Sequence, residues 1–277
     1  MSEIRNSTFA VRTQGACRSY GRFLWASAGA LSTLLLIVTP AAAAVSLGTA
    51  ASFGVLGGSA VTNTGATIVN GDLGVSPGSS VTGFPPGVVV GGTIHSNDAT
   101  AMQAQNDLTT AYNAVAGTPC TADLTGLDLG GMTLTPGVYC FSSGAQLTGT
   151  VTLNALGNTN ASFLFKIGST LTTASSSRVL LANGATSCNV FWQVGSSATL
   201  GTTTSFAGNI LSLTSITLTT GANLSGRALA RNGAVTTDTN TITPCGPGIS
   251  DIPLLSGKLL LLLAAAIAAI AFTVLRQ

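Results

Sequence analysis

The chain has 277 residues, of which 45% are hydrophobic, 6% charged and 5% aromatic, with a formal charge of +2 and a mean hydropathy of +0.52. Ordinary soluble domains carry about 25% charged residues, and disordered chains combine low hydrophobicity with high net charge; the composition excludes both classes. Six of the ten Lys and Arg residues lie in terminal segments, which leaves nucleic-acid binding without an electrostatic footing.

In chain order, Arg5, Arg12, Arg18 and Arg22 precede an apolar run from Phe23 to Val38, then Pro40 and the small-residue stretch Ala41 to Ala44. This basic, apolar, small-residue order predicts a secretory signal over residues 1–44, cleaved before Val45, with a retained membrane anchor as the alternative. Residues 45–248 then form one domain, long enough for a single core. Its charges are Lys166, Arg178, Arg227 and Arg231 against Asp72, Asp98, Asp107, Asp123, Asp128 and Asp238, and it contains no Glu.

From Asn97 through Gly117 there is no internal Gly or Pro, and Leu108, Ala111, Tyr112 and Val115 fall at i, i+3, i+4 and i+7. The spacing predicts one amphipathic helix, started by Asn97 or Asp98, ended by Gly117 and packed along the side of the domain. The remainder reads as short β-type runs between Gly and Asn, among them Val151-Thr152-Leu153, Phe163-Leu164-Phe165, Val179-Leu180-Leu181, Val190-Phe191-Trp192 and Ile216-Thr217-Leu218. The segments 206–211 and 224–229 match at an offset of 18, as do Ala198-Thr199-Leu200 and Ile216-Thr217-Leu218. A period of this length fits one turn of a three-sided β-helix, in which each coil buries its apolar face only by stacking on the next; an all-β sandwich stands as the alternative. Cys120, Cys140, Cys188 and Cys245 are an even set in an exported domain. Three pairings are open, and sequence nearness favours Cys120 with Cys140 and Cys188 with Cys245.

After Pro247 and Gly248, the segment Ile252-Pro253-Leu254-Leu255 leads to an uncharged run from Leu259 to Leu275 and then Arg276. Residues 249–277 resemble IPTL-type C-terminal sorting signals of Gram-negative bacteria, with Leu254 where Thr is usual. A transmembrane tail anchor is the alternative, and this segment is the expected membrane contact.

Chemistry is sparse. Paired-carboxylate catalysis needs two acids within about 5–9.5 Å, and only Asp123 and Asp128 are near in sequence, where they read as a solvated loop after Cys120. His95 is the only histidine and is read as a helper at the start of the helix rather than as a base or metal ligand. Gly57-Gly58 and Gly91-Gly92 lack the Lys-Ser/Thr of a phosphate cradle. No enzyme activity, cofactor or metal is expected. What remains is a surplus of Thr, Ser and Ala on strands, which in most β-proteins is a solvated face.

The segments Ser52-Phe53-Gly54-Val55-Leu56, Gly71-Asp72-Leu73-Gly74-Val75-Ser76-Pro77-Gly78, Pro136-Gly137-Val138-Tyr139, Phe163-Leu164-Phe165-Lys166-Ile167 and Gly226-Arg227-Ala228-Leu229-Ala230-Arg231-Asn232-Gly233 resemble, in order, the ice-binding proteins of the DUF3494 family. The resemblance implies an irregular right-handed parallel β-helix with one long helix alongside. It also implies a binding motif, Thr-Ala/Gly-X-Thr/Asn, present here as Thr64-Gly65-Ala66-Thr67 and Thr220-Gly221-Ala222-Asn223. Thr64, Gly65, Thr67, Thr220, Gly221 and Asn223 are therefore the candidate ice-binding residues. The expected function is adsorption to ice by a monomer that is secreted or held at the cell surface, inhibiting growth and recrystallisation. An adhesive or structural solenoid binding a polysaccharide is the alternative, and a polysaccharide-active enzyme comes third.

Overall fold

The computed structural model describes residues 45–245. The signal-like residues 1–44 and the apolar tail, with the sorting-signal resemblance drawn from it, lie outside the described residues.

The short strands assemble into three parallel sheets of nine, seven and eight strands, to which successive turns of the chain each add a strand. This is the predicted β-helix, not a sandwich. Ile210 stands opposite Trp192 and Ala228 opposite Ile210, an 18-residue period. The earlier coils are longer: Phe163 stands opposite Val190 because residues 183–189 are inserted at one corner, just as residues 155–162 are inserted in the preceding turn.

Inward-pointing residues stack in register along the solenoid. Tyr139, Phe165 and Trp192 occupy the same position on consecutive coils, with Phe165 and Trp192 parallel at 3.7 Å between ring centroids. Trp192 Nε1 donates to the carbonyl of Ala207, so this buried indole leaves no unpaired donor. The inner strands of the nine-stranded sheet are buried on both faces, and for that reason Phe53–Gly57 and Val190–Val194 read as near-continuous apolar runs rather than as alternating ones.

Its outer face is covered by α1, Ala99–Gly117. Ala104, Leu108, Ala111, Tyr112 and Val115 pack on Phe53, Leu56, Val138, Leu164, Phe191, Leu211 and Leu229. These seven come from six neighbouring strands, a width of about 24 Å at the usual strand spacing, which a 19-residue helix of about 28 Å spans. Asp98 is the cap, accepting from the Ala101 amide at 2.8 Å. The C-terminal reading needs correction: the cap is Thr118, in extended conformation, because Pro119 disfavours helical geometry in the residue before it. Gly117 takes no left-handed turn.

The order of coils in space differs from their order in the chain. The path starts mid-sheet at Phe53–Gly57 and winds outward to Ile94–Ser96 at one end. It then crosses along α1 to Ala122–Asp123 at the other end and winds back until Ala228–Ala230 pairs with Phe53–Gly57. Both favoured disulfides are present, Cys120–Cys140 and Cys188–Cys245, with Cα separations of 5.9 and 5.4 Å.

Candidate functional site

Among the described residues no helix packs over the seven-stranded sheet. Several of its strands are triplets whose outer two residues turn inward around an outward one. In Leu171–Thr173, Ala198–Leu200, Ile216–Leu218 and Val235–Thr237 the first and third residues are buried, while the middle threonine faces solvent. Register places Thr172, Thr199, Thr217, Thr236, Thr62 and Thr82 side by side, one per coil. Five intervals at the strand spacing make a row about 24 Å long. Thr62 Oγ1 donates to Thr236 Oγ1 at 3.2 Å, and beyond Thr172 the row continues to Gln146 and then Asp128. The six threonines form an uncharged stretch, and the Asp128 carboxylate lies past its Thr172 end.

A second row runs along the corner that follows these strands. Two residues before the paired positions Arg178, Ser205, Asn223 and Thr241 stand Ser176, Thr203, Gly221 and Thr239, all with left-handed backbone at φ of 60°, 56°, 70° and 56°. Ser176 Oγ and Thr203 Oγ1 are 2.9 Å apart.

The two predicted motifs sit on this corner. They lie on the coils flanking Val235–Thr243, and Asp238 stands between them. Thr220 Oγ1 donates to Asp238 Oδ2 at 2.5 Å and Thr239 Oγ1 to Oδ1 at 3.0 Å. The hydroxyls of Thr220 first, then Thr239 and to a smaller degree Thr64, hold the Asp238 carboxyl below its ordinary range.

The two motif glycines have different causes. Gly221 supplies the left-handed turn. At Gly65 a Cβ would overlap Thr239 Oγ1 and come within 2.7 Å of Asp238 Oδ1. Thr64 and Asn223 are exposed, and Asn223 Oδ1 accepts from the Thr241 amide at 2.9 Å.

Thr67 must be removed from the surface set. It is fully buried, and its hydroxyl accepts from the Asn240 amide at 3.1 Å. A strand-to-turn corner alternates its side chains, so the fourth motif position points inward here and fastens the turn. The strand threonines Thr62, Thr82, Thr172, Thr199, Thr217 and Thr236 were not singled out from sequence. Two of them carried a signal, the apolar-Thr-apolar triplets Ala198-Thr199-Leu200 and Ile216-Thr217-Leu218, whereas Thr62, Thr82, Thr172 and Thr236 are followed by Asn, Gly or Thr.

The other titratable groups serve turns and caps. His95 Nδ1 lies 2.7 Å from Asp98 Oδ2 and Nε2 lies 3.9 Å from Asp72 Oδ1, so the histidine braces the capping aspartate. Asp123 accepts from the hydroxyl and amide of Thr125, and Asp128 from the amides of Gly130 and Thr148. No cluster of three or more potential metal ligands exists among the described residues.

A parallel β-helix with a sheathing helix on one sheet and a long uncharged threonine row on another defines a class of rigid surface binders. The chain belongs to the Ice-binding-like family, whose profile matches residues 55–243. It is 65% identical over 198 residues to an ice-binding protein of Nostoc sp. (strain HG1), covering 71% of this chain and 73% of that protein. Among solved structures it is similar to an ice-binding protein from an Antarctic biological consortium, with 53% identity, a TM-score of 0.70 and coverage of 72% of this chain and 90% of that one. It is also similar to an ice-binding protein of the Antarctic ascomycete Antarctomyces psychrotrophicus, with 44% identity, a TM-score of 0.71 and coverage of 73% and 99%.

Proposed function

We propose that this protein adsorbs to ice through the seven-stranded sheet and its adjoining corner, and thereby restrains ice growth and recrystallisation. The observation that carries the reading is the in-register row from Thr172 to Thr82, on a chain whose relatives are ice-binding proteins. Ice is an uncharged, periodic array of water. A binder therefore needs a flat, stiff surface whose groups order water without holding liquid water too strongly. Threonine offers one methyl and one hydroxyl, and the coil spacing of about 4.7–4.9 Å repeats them at an interval close to one of the ice lattice. Rigidity reduces the ordering cost on adsorption. Here it comes from the stacked core, α1 and two disulfides.

Thr64, Gly65, Thr220, Gly221 and Asn223 extend this face along the corner, with Thr67 supporting it from beneath. Residues 1–44 act as an export signal, and the domain works outside the cytoplasm, released or held at the cell surface by its tail. The two disulfides support an oxidising location.

Annealing a frozen sucrose solution with micromolar purified protein tests the function, because adsorption arrests grain coarsening. Grain growth equal to that in a buffer control rejects it. For export, mass spectrometry of the native protein should find Val45 at the N-terminus.

A further inference from the structure

A carboxylate is out of place on a surface that meets ice, since a free one organises liquid water around itself. Asp238 nonetheless occupies the middle of the corner, partly exposed, and neither turn packed beside it, 219–222 or 64–67, contains an ionisable residue. Its surroundings explain the exception. Oδ2 is taken by the Thr220 hydroxyl of the neighbouring coil and Oδ1 by that of Thr239. The backbone beneath is fixed as well. The Asp238 amide donates to Asn240 Oδ1 at 2.6 Å, and the buried Asn240 side chain donates to the carbonyls of Thr219 at 2.9 Å and Ala222 at 2.8 Å. The bare Cα of Gly65 leaves room for the arrangement.

We propose that Asp238 is a positioning residue of the ice-contacting face, locking the hydroxyls of Thr220 and Thr239 across two adjacent coils into one hydrogen-bonded unit. The proposal rests on the reading that this face binds ice. A threonine hydroxyl in water rotates among three staggered positions. Once its proton is committed to the carboxylate, its methyl and its oxygen lone pairs point in fixed directions. Two of the about four lone-pair sites of the carboxylate are spent within the protein, which lowers its hold on liquid water. The Thr220 motif and the neighbouring coil that carries Asp238 and Thr239 thereby act as one array.

Asp238→Asn preserves shape but replaces one acceptor oxygen with a donor, so one hydroxyl loses its anchor. At neutral pH, thermal hysteresis of the purified protein should drop about threefold or more, the effect of losing one or two hydrogen bonds, with circular dichroism unchanged. The wild-type activity should also fall as pH drops through the depressed range of this carboxyl, while Asp238→Asn stays flat over the same window and both remain folded. A purely structural role would move the melting temperature and leave the two pH profiles parallel. Should Asp238→Asn not fold, the Thr220→Val/Thr239→Val pair, which removes both donors, must show the same loss and the same flattening. Full activity in the variants, or a pH profile matching wild type, overturns the proposal. Thr217→Tyr separates the two claims. If wild type is active and Thr217→Tyr inert while Asp238→Asn is unaffected, only the role of Asp238 fails. A wild type inert on ice removes the reading of the face, and this proposal with it.

Discussion

Arg227 Nη2 donates to the carbonyl of Ala51 at 2.6 Å, tying the coil that closes the solenoid to the turn that precedes its first strand. The same guanidinium reaches the Cys245 carbonyl at 2.7 Å and Asn209 Oδ1 at 2.8 Å. Arg227 is 4% exposed, and burial pulls its pKa down to about 10, so it stays charged at neutral pH. With no carboxylate among these partners, the charge is balanced by carbonyl dipoles in a planar fork that an ammonium cannot reproduce. Arg227→Ala leaves the buried Asn209 Oδ1 unpaired, at about 1–3 kcal/mol, and strips the part-buried carbonyls of Ala51 and Cys245 of a charged donor. The melting temperature should fall by roughly 6–12 °C, taking about 3 kcal/mol and 2–4 °C per kcal/mol for a domain of this size. Arg227→Lys should recover only part of that. A melt within 2 °C of wild type for Arg227→Ala, on the scale of about 0.5 kcal/mol typical of surface changes, would show that water replaces the guanidinium.

Reduction should act in the same direction. Cys188–Cys245 closes a 57-residue separation and anchors the segment that Arg227 grips, while Cys120–Cys140 fastens the end of α1 to the sheet. Each is expected to contribute about 2–4 kcal/mol. Calorimetry with and without reductant should show a lower melting temperature, with ice activity per folded molecule retained below it. Free thiols in the oxidised, folded protein would contradict the assignment.

Acid should weaken the fold by a definable route. The Ala101 amide and then His95 hold the Asp98 carboxyl below its ordinary range, and the Thr49 amide does the same for Asp107. The Thr125 hydroxyl and amide act likewise on Asp123. A carboxyl with a depressed native pKa binds fewer protons folded than unfolded. Its contribution is therefore complete above the unfolded value of about 3.9 and is lost as pH falls through the lower native one. The melting temperature should be level near neutrality and decline below about pH 4. Asp107→Asn should flatten that decline, and an unchanged slope would assign it to other groups.

Some of this architecture is written locally and some is not. The helical face of Leu108, Ala111, Tyr112 and Val115 is legible because its apolar spacing and its Asp98 cap are contiguous. The 18-residue period is legible only where coils lack insertions, around Ala198–Ala230; residues 155–162 and 183–189 obscure it earlier. That the coil Ala228–Thr243 docks on Phe53–Asn70 has no local signature, because the contact depends on α1 carrying the chain from one end to the other. The threonine row is scattered for the same reason, one residue per coil, with Thr62 beside Thr236. Four-residue motifs found the corner but not the sheet. They also misjudged Thr67, whose inward orientation follows from turn geometry rather than residue type.

The row itself makes a graded prediction. Thr217→Tyr places a ring at its middle, Thr82→Tyr at its end, and Thr152→Tyr on the outward face of a different sheet. All three positions are outside the core, so stability should change by only about 0.5 kcal/mol. Thr217→Tyr should lose roughly tenfold in activity, equivalent to about 1.4 kcal/mol of binding, because a protruding ring lifts coils on both sides from the lattice. Thr82→Tyr should lose less and Thr152→Tyr nothing. Thr64→Tyr and Thr220→Tyr, on the corner, should fall between the first two. Thermal hysteresis at matched concentration reads the order, and equal losses at Thr152 and Thr217 would put the contact elsewhere.

The corner threonines with left-handed backbone offer a sharper test, because they set stability against binding. Thr203 and Thr239 hold φ at 56°, where a β-branched residue is strained and glycine is not, and Gly221 occupies the equivalent place on the coil between them. Such a conformation costs roughly 1–3 kcal/mol, against about 0.5–1 kcal/mol for the greater backbone entropy that glycine loses on folding. Both side chains are exposed and contribute nothing to the core. Thr203 does surrender its contacts with Ser176 and the Thr202 carbonyl when truncated, and Thr239 its bond to Asp238 Oδ1, which takes back part of the gain. Thr203→Gly/Thr239→Gly should therefore melt at or slightly above the wild-type temperature. If stability alone shaped this corner, glycine would be the better residue at both places. Strained threonine there is accounted for if its methyl and hydroxyl meet ice, so thermal hysteresis should fall in the same protein that melts no lower. A variant that gains stability and keeps full activity would break that link and leave the strain at Thr203 and Thr239 without a role in binding.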